Sequence, residues 1–170
     1  GTYKPTNGTD RNISFVMKNG VGIYGGFNGT EALLSQRNWM TNVTTLSGDI
    51  GTAGNNSDNS YHVIYNYNNG LTNTAVLDGF TITGGNANGS FPNERGGGVL
   101  NLSSSPSLAN CSISDNEAGR GGGIFSNSPL SLTDCTISGN YASAFGGGVY
   151  TSGATTITGT TIDNNEAGNA

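Results

Sequence analysis

The chain has 170 residues, 33% of them hydrophobic and 10% charged, enough for one domain with a core and too few for two. Its 29 Gly, 24 Asn, 20 Thr and 18 Ser are more than half of the sequence and exclude a helical bundle, while recurring Ile, Val, Leu, Phe and Tyr exclude a disordered coil. A net charge of −5, with Lys4, Arg11, Lys18, Arg37, Arg95 and Arg120 scattered singly, excludes a phosphate-binding patch, so nucleic acid is not an expected partner.

Along the chain, apolar runs at Phe15–Met17 and Val21–Tyr24 read as short strands. Residues 30–39 (TEALLSQRNW) are the one stretch with helical character, a short insertion with Thr30 as its cap and with Trp39 and the Leu33–Leu34 pair packed on the flank. Further apolar runs follow at Thr45–Leu46, His62–Tyr65 and Ala75–Leu77, so residues 1–79 read as irregular turns of the same architecture as the rest. Between them, residues 48–59 carry many oxygen ligands, but their spacing fits an Asn/Asp turn and no defined calcium loop, so no metal and no cofactor is expected. His62 reads as an exposed or stacked strand residue.

From Phe80 the sequence repeats. Gly triplets begin at Gly96, Gly121 and Gly146, 25 residues apart, each followed by an apolar pair: Val99-Leu100, Ile124-Phe125 and Val149-Tyr150. In phase with them run Phe80-Thr-Ile-Thr, Cys111-Ser-Ile-Ser, Cys135-Thr-Ile-Ser and Thr160-Thr-Ile-Asp, with Ile113, Ile137 and Ile162 separated by 24 and 25 residues. Asn116, Asn140 and Asn165 keep the same offset. A unit of this length holds two or three short strands, leaves no room for a helical crossover and cannot close a core alone. If each unit forms one turn of a solenoid, equivalent strands stack about 4.8 Å apart and equivalent side chains form columns. The expected fold is therefore all-β, a right-handed parallel β-helix with about 24–25 residues per turn, over residues 1–170 as a single domain whose regular part is 80–170. Cys111, Ile113, Cys135, Ile137 and Ile162 then point inward, the cysteines as buried thiols, and Asn116, Asn140 and Asn165 stack in the bend. The Gly triplets supply a corner with positive φ.

The GGG-Val/Ile-aromatic and Cys-Ser/Thr-Ile-Ser-x-Asn motifs resemble the right-handed parallel β-helix repeat proteins of bacterial surfaces and secretions, including polymorphic outer-membrane-protein repeats, although those usually read GGA. GTYKPT, GVGIYGGFNGTE, QRNW and TLSGDI are similar to the N-terminal portion of secreted β-helix proteins. The resemblance implies the fold and an extracellular or cell-surface location, which the Asn/Thr/Ser-rich, Lys/Glu-poor composition also suits. No stretch approaches the roughly 18 apolar residues of a membrane span, so this segment is not expected to enter a bilayer. Starting at Gly1 without a leader, the sequence reads as a mature or trimmed piece of something larger.

The fold hosts adhesins, lyases, hydrolases and rods, so activity has to be argued from the site. The clustered Asp and Gly-His-Gly motif of pectinolytic β-helix hydrolases are missing. Lyases of this fold use a calcium-and-arginine arrangement, and Arg95, Asp115, Glu117 and Arg120 fall in the variable loop column where such a site could be built, but Arg95 and Arg120 each precede a Gly triplet and read as a solvated repeat column. Binding is the favoured reading. Phe91, Arg95, Glu117, Arg120, Tyr141 and Phe145 are a candidate glycan surface, the alternative being that Phe91 and Phe145 close the core under their loops. A row of Thr and Ser flanking the Ile ladder (Thr81, Thr83, Ser112, Ser114, Thr136, Ser138, Thr161) resembles ice-binding β-helices, a minor alternative that Asp163 interrupts. Another Gly triplet is due after Glu166, so further repeats or a second copy stacked end to end into a filament is expected there. The expected function is thus a non-enzymatic structural or adhesive module whose partner is a glycan or itself, with a polysaccharide lyase or hydrolase as the alternative.

Overall fold

The computed structural model describes residues 1–168. Among them there is no α-helix, and every strand pairing is parallel. The strands are two to five residues long, and many of them, such as Thr81-Ile82-Thr83, end at a residue in the left-handed conformation, which breaks the strand. Between Thr81–Thr83 and its successor that residue is Gly84; at the equivalent corners it is Asp115, Gly139 and Asn164, with φ of 76°, 55°, 65° and 50°. Gly, Asn and Asp are the residues that tolerate this left-handed region best.

Four sheets result, each named here by its inward-facing column. The isoleucine sheet pairs Thr2–Tyr3, Thr45–Ser47, Thr81–Thr83, Ser112–Ser114, Thr136–Ser138 and Thr161–Asp163, with Leu46, Ile82, Ile113, Ile137 and Ile162 in register. The alanine sheet pairs Asn86–Ala87, Glu117–Arg120, Tyr141–Phe145 and Glu166–Ala167, aligning Ala87, Ala118, Ala142 and Ala167. The valine sheet pairs Ile64–Tyr67, Val99–Leu102, Ile124–Ser126 and Val149–Thr151. The leucine sheet pairs Gly22–Tyr24, Val76–Asp78, Ser107–Ala109, Leu130–Thr133 and Thr155–Thr158, aligning Ile23, Leu77, Leu108, Leu132 and Ile157. From Thr81 onward the chain visits isoleucine, alanine, valine and leucine sheets in that order and then begins again. Each circuit therefore has four strands, where the sequence suggests two or three. The two-residue strands of the alanine sheet are too short to show alternation.

One apolar core runs through the circuits. Ile82, Ile113, Ile137, Leu108, Leu132, Val99 and Ile124 are fully buried within it. A second, smaller cluster lies on the other side of the valine sheet, where Leu100 and Phe125 pack with Tyr65 and Tyr150. The apolar pair after each Gly triplet thus serves both faces, one residue in and one out. Only the first Gly of each triplet has a positive φ, 62° at Gly96, 65° at Gly121 and 67° at Gly146. The second is Gly for a different reason: a Cβ at Gly97, Gly122 or Gly147 would collide with the carbonyl oxygen of Glu117, Tyr141 or Glu166 in the next circuit. The expectation that the whole triplet serves the corner is corrected accordingly.

The expected helical insertion is also revised. Its helical part is one 3-10 turn, Leu34–Gln36, preceded by Leu33 and not capped by Thr30. The Gln36 side chain accepts from the amides of Ala32 and Leu33 at 2.8 and 2.9 Å, and Leu33 and Leu34 are exposed. Arg37 attaches the segment to the sheets through Asp78, 2.7 Å away, and through the carbonyl of Gly25.

Candidate functional site

The alanine sheet is where the chain departs from its corners by the longest loop of the regular part, residues 88–98 between Asn86–Ala87 and Val99–Leu102. On the outer side of this sheet Glu117 is in register with Tyr141, and Arg120 with Phe145. Arg95 joins the arrangement by bridging to Arg120. Five of the six candidate residues from the sequence are therefore strand neighbours, and the sixth, Phe91, is brought in by its loop.

The aromatic and cationic groups interleave. The Arg95 guanidinium lies 4.7 Å from the Phe91 ring and 5.0 Å from the Phe125 ring, and Arg120 lies 5.6 Å from the Phe145 ring. Phe91 and Phe145 are 58% and 48% exposed, so they do not close the core under their loops; Phe125, which is buried, does the packing. Arg95 is held by its neighbour, Nε to Glu94 Oε1 at 2.7 Å. Beside this stack is a cleft of about 280 Å³ lined by Asn88, Glu94, Glu117, Gly119 and Ser143. Glu117 accepts from Asn56 Nδ2 at 2.8 Å, whereas Glu94 Oε2 is buried without a hydrogen-bond partner. Neither Glu94 nor Asn56 stands out in the sequence. Glu94 is a single carboxylate in a loop, and Asn56 arrives from a segment remote in the chain. Asp115, one of the residues considered for a lyase-type site, occupies the left-handed corner and is exposed.

The ladder residues occupy the interior. Asn116 Nδ2 donates to Asn140 Oδ1 at 3.0 Å and Asn140 Nδ2 to Asn165 Oδ1 at 2.9 Å, while each amide also donates to backbone carbonyls of its own and a neighbouring circuit. Asn165, in the last described circuit, donates to Ile137 O and Asp163 O. Ile113 and Ile137 are fully buried, and Ile162 is 44% exposed in that last circuit. A second amide pair, Asn66 to Asn101 at 3.0 Å, sits inside the valine sheet. Cys111 and Cys135 are free, buried and adjacent. The hydrogen bond to Cys135, together with burial, holds the Cys111 thiol well above its ordinary range.

His62, expected as an exposed or stacked strand residue, is not exposed and lies just before the strand Ile64–Tyr67. It is buried, with Nδ1 2.9 Å from Gly96 O and Nε2 3.2 Å from Asn93 Oδ1, and its ring centroid is 5.2 Å from that of Tyr65. Burial lowers its pKa below the ordinary value, and the two acceptors oppose that shift only in part.

A more apolar cavity of about 340 Å³ opens among Tyr3, Phe15, Met17, Ile23 and Leu46. It lies at the first circuit and is lined almost wholly by apolar and aromatic side chains, so it offers little to orient a polar ligand. Among the described residues no group of three or more His, Cys, Asp or Glu is placed to hold a metal ion, and no helix is long and apolar enough to cross a membrane. Comparison of the chain with family models, curated proteins and solved structures finds no match.

Proposed function

We propose that the chain is a right-handed parallel β-helix of the bacterial surface or secreted type, and that it acts outside the cell as a non-enzymatic, adhesive module whose alanine-sheet face binds a glycan. The observation that carries this reading is the interleaved Phe91–Arg95 and Arg120–Phe145 stack beside a cleft that holds Glu94, Glu117 and Asn88. Aromatic rings suit the apolar faces of sugar rings, and carboxylate and amide oxygens accept from their hydroxyls. The parallel ladders beneath the site fix these groups on a stiff support, so little ordering entropy is lost on binding. End-to-end stacking of copies belongs to the same proposal, because parallel strands in register can be extended by the equivalent strands of a second copy.

The alternative is a polysaccharide lyase or hydrolase, favoured by one feature, the presence of Glu94 and Glu117 in one cleft. Two carboxylates flanking a glycosidic bond are the minimum for its hydrolysis. The two readings separate in one screen of polysaccharides for binding and turnover. The adhesive reading expects retention without unsaturated or reducing-end products, and a loss of about tenfold or more in affinity in Tyr141→Ala at unchanged fold. Product formation that Glu117→Gln abolishes would establish the enzyme instead.

A further inference from the structure

On the outer side of the isoleucine sheet lies a second groove, of about 390 Å³. Its floor is the outward column Thr81, Ser112 and Thr136, three hydroxyl side chains in register on adjacent strands. They face outward because Ile82, Ile113 and Ile137, their strand neighbours, are fully buried, and successive strand residues point to opposite faces. Its wall is the insertion that precedes Thr45–Ser47, through Trp39, Met40 and Val43, with Met40 78% and Val43 48% exposed. Its far edge is the corner column, where Asn110 and Asp134 both hold left-handed conformations with φ of 51°.

The groove is held open by a connected set of contacts. Arg37 stacks 4.7 Å from the Trp39 ring and pairs with Asp78 at 2.7 Å; Asp78 Oδ1 accepts from Asn110 Nδ2 at 2.8 Å. Both members of the ion pair are nearly buried. Wall and edge are thus tied to the same carboxylate, which fixes the width between them before any ligand arrives.

The lining specifies a chemistry. It offers an aromatic ring and two apolar side chains on one side, a row of hydroxyls below, and amide and carboxylate oxygens opposite. It holds no basic side chain, and Asp134 together with the net charge of −5 disfavours a polyanion. Adjacent strands stack about 4.8 Å apart, close to the advance per residue of an extended β-linked pyranose chain, so successive sugars meet successive hydroxyls. We propose that this groove binds one extended, uncharged, β-linked glycan chain, laid along the Thr81–Ser112–Thr136 column with one sugar ring against Trp39. The site is separate from the alanine-sheet face and does not depend on it.

Trp39 is the single tryptophan of the chain, so its emission reports on this groove alone. The experiment titrates the protein with the β-1,4-linked hexasaccharides of glucose, xylose, mannose and N-acetylglucosamine, and separately with polygalacturonate. The expected result is a saturable change in emission with at least one neutral hexasaccharide and none with polygalacturonate. That response should be about tenfold or more weaker in Thr136→Lys and in Met40→Asp, exposed positions whose substitution leaves the core intact, and unaltered in Tyr141→Ala. Circular dichroism confirms the fold of each variant, and either one suffices if the other fails to fold. The proposal is overturned by flat emission with all four hexasaccharides up to their solubility limits, or by a response that survives both groove variants. A response lost in Tyr141→Ala but kept in Thr136→Lys would overturn it too, while leaving the alanine-sheet reading standing.

Discussion

Asn140 shows how much a single side chain contributes here. It is buried, its Nδ2 faces the carbonyls of Ile113 and Ser138 at 2.8 and 3.1 Å and Asn165 Oδ1 at 2.9 Å, and its Oδ1 accepts from both the amide and the side chain of Asn116. Asn140→Ala removes a donor to those carbonyls and the acceptor of the buried Asn116 amide and side chain, and should cost about 3 kcal/mol in denaturant unfolding. Asn140→Asp should cost more at neutral pH, because a carboxylate then faces three acceptors. The sign is fixed by linkage. Those acceptors and burial raise the folded pKa of the new carboxyl above its unfolded value, so the penalty grows as pH rises above about 4 and fades below it. The column was legible in the sequence because the same residue type recurs at one offset. The Asn66–Asn101 pair was not, since its column continues as Ser126 and Thr151. The Gly triplets were legible as corners, but the collision that removes the second Cβ comes from a carbonyl one circuit away.

At the scale of elements, repetition decided what could be read. The isoleucine and leucine strands alternate over three or more residues, so their inward residues stand out, whereas the valine strands Val99–Leu102 and Ile124–Ser126 are buried on both faces. The alanine sheet contributes two residues in its shortest strands, and its existence follows only from pairing. The 30–39 segment, the one stretch expected to have helical character, forms a single 3-10 turn, Leu34–Gln36, whose preceding amides donate to the Gln36 side chain and which Arg37 ties to Asp78. Its Leu33 and Leu34 stay in solvent. His62 joins two elements: it precedes Ile64–Tyr67 and bonds to the Gly96 corner. Its folded pKa lies below the ordinary 6.5, so the unfolded chain binds a proton more readily there and the contribution to stability is complete above pH 6.5 and falls as pH drops toward the folded value. Thermal melts should therefore show a loss of Tm on moving from pH 7 to about 5 that is absent in His62→Gln; the same slope in both proteins would remove His62 as its cause.

The whole molecule is a stack of parallel circuits in which the candidate binding groups lie outside and columns of Ile, Leu, Ala and Asn lie inside. Such a body has few ways to rearrange, since a shift in one circuit breaks its register with two others. The stacked strands and most of the exposed aromatic and charged face were readable from the sequence, because both follow the repeat. Glu94, Asn56 and the Trp39 groove were not, since they come from loops and from contacts between segments distant in the chain. Rigid presentation is the central claim, and hydrogen–deuterium exchange of the full chain with and without a retained polysaccharide tests it most directly. The account predicts slowed exchange confined to the outer segments 86–95, 117–120 and 141–145, with Trp39 to Val43 as the one further stretch protected when the glycan also fills the second groove. Unchanged exchange at those segments, or a change that spreads through the buried Ile113 and Ile137 strands, would contradict it.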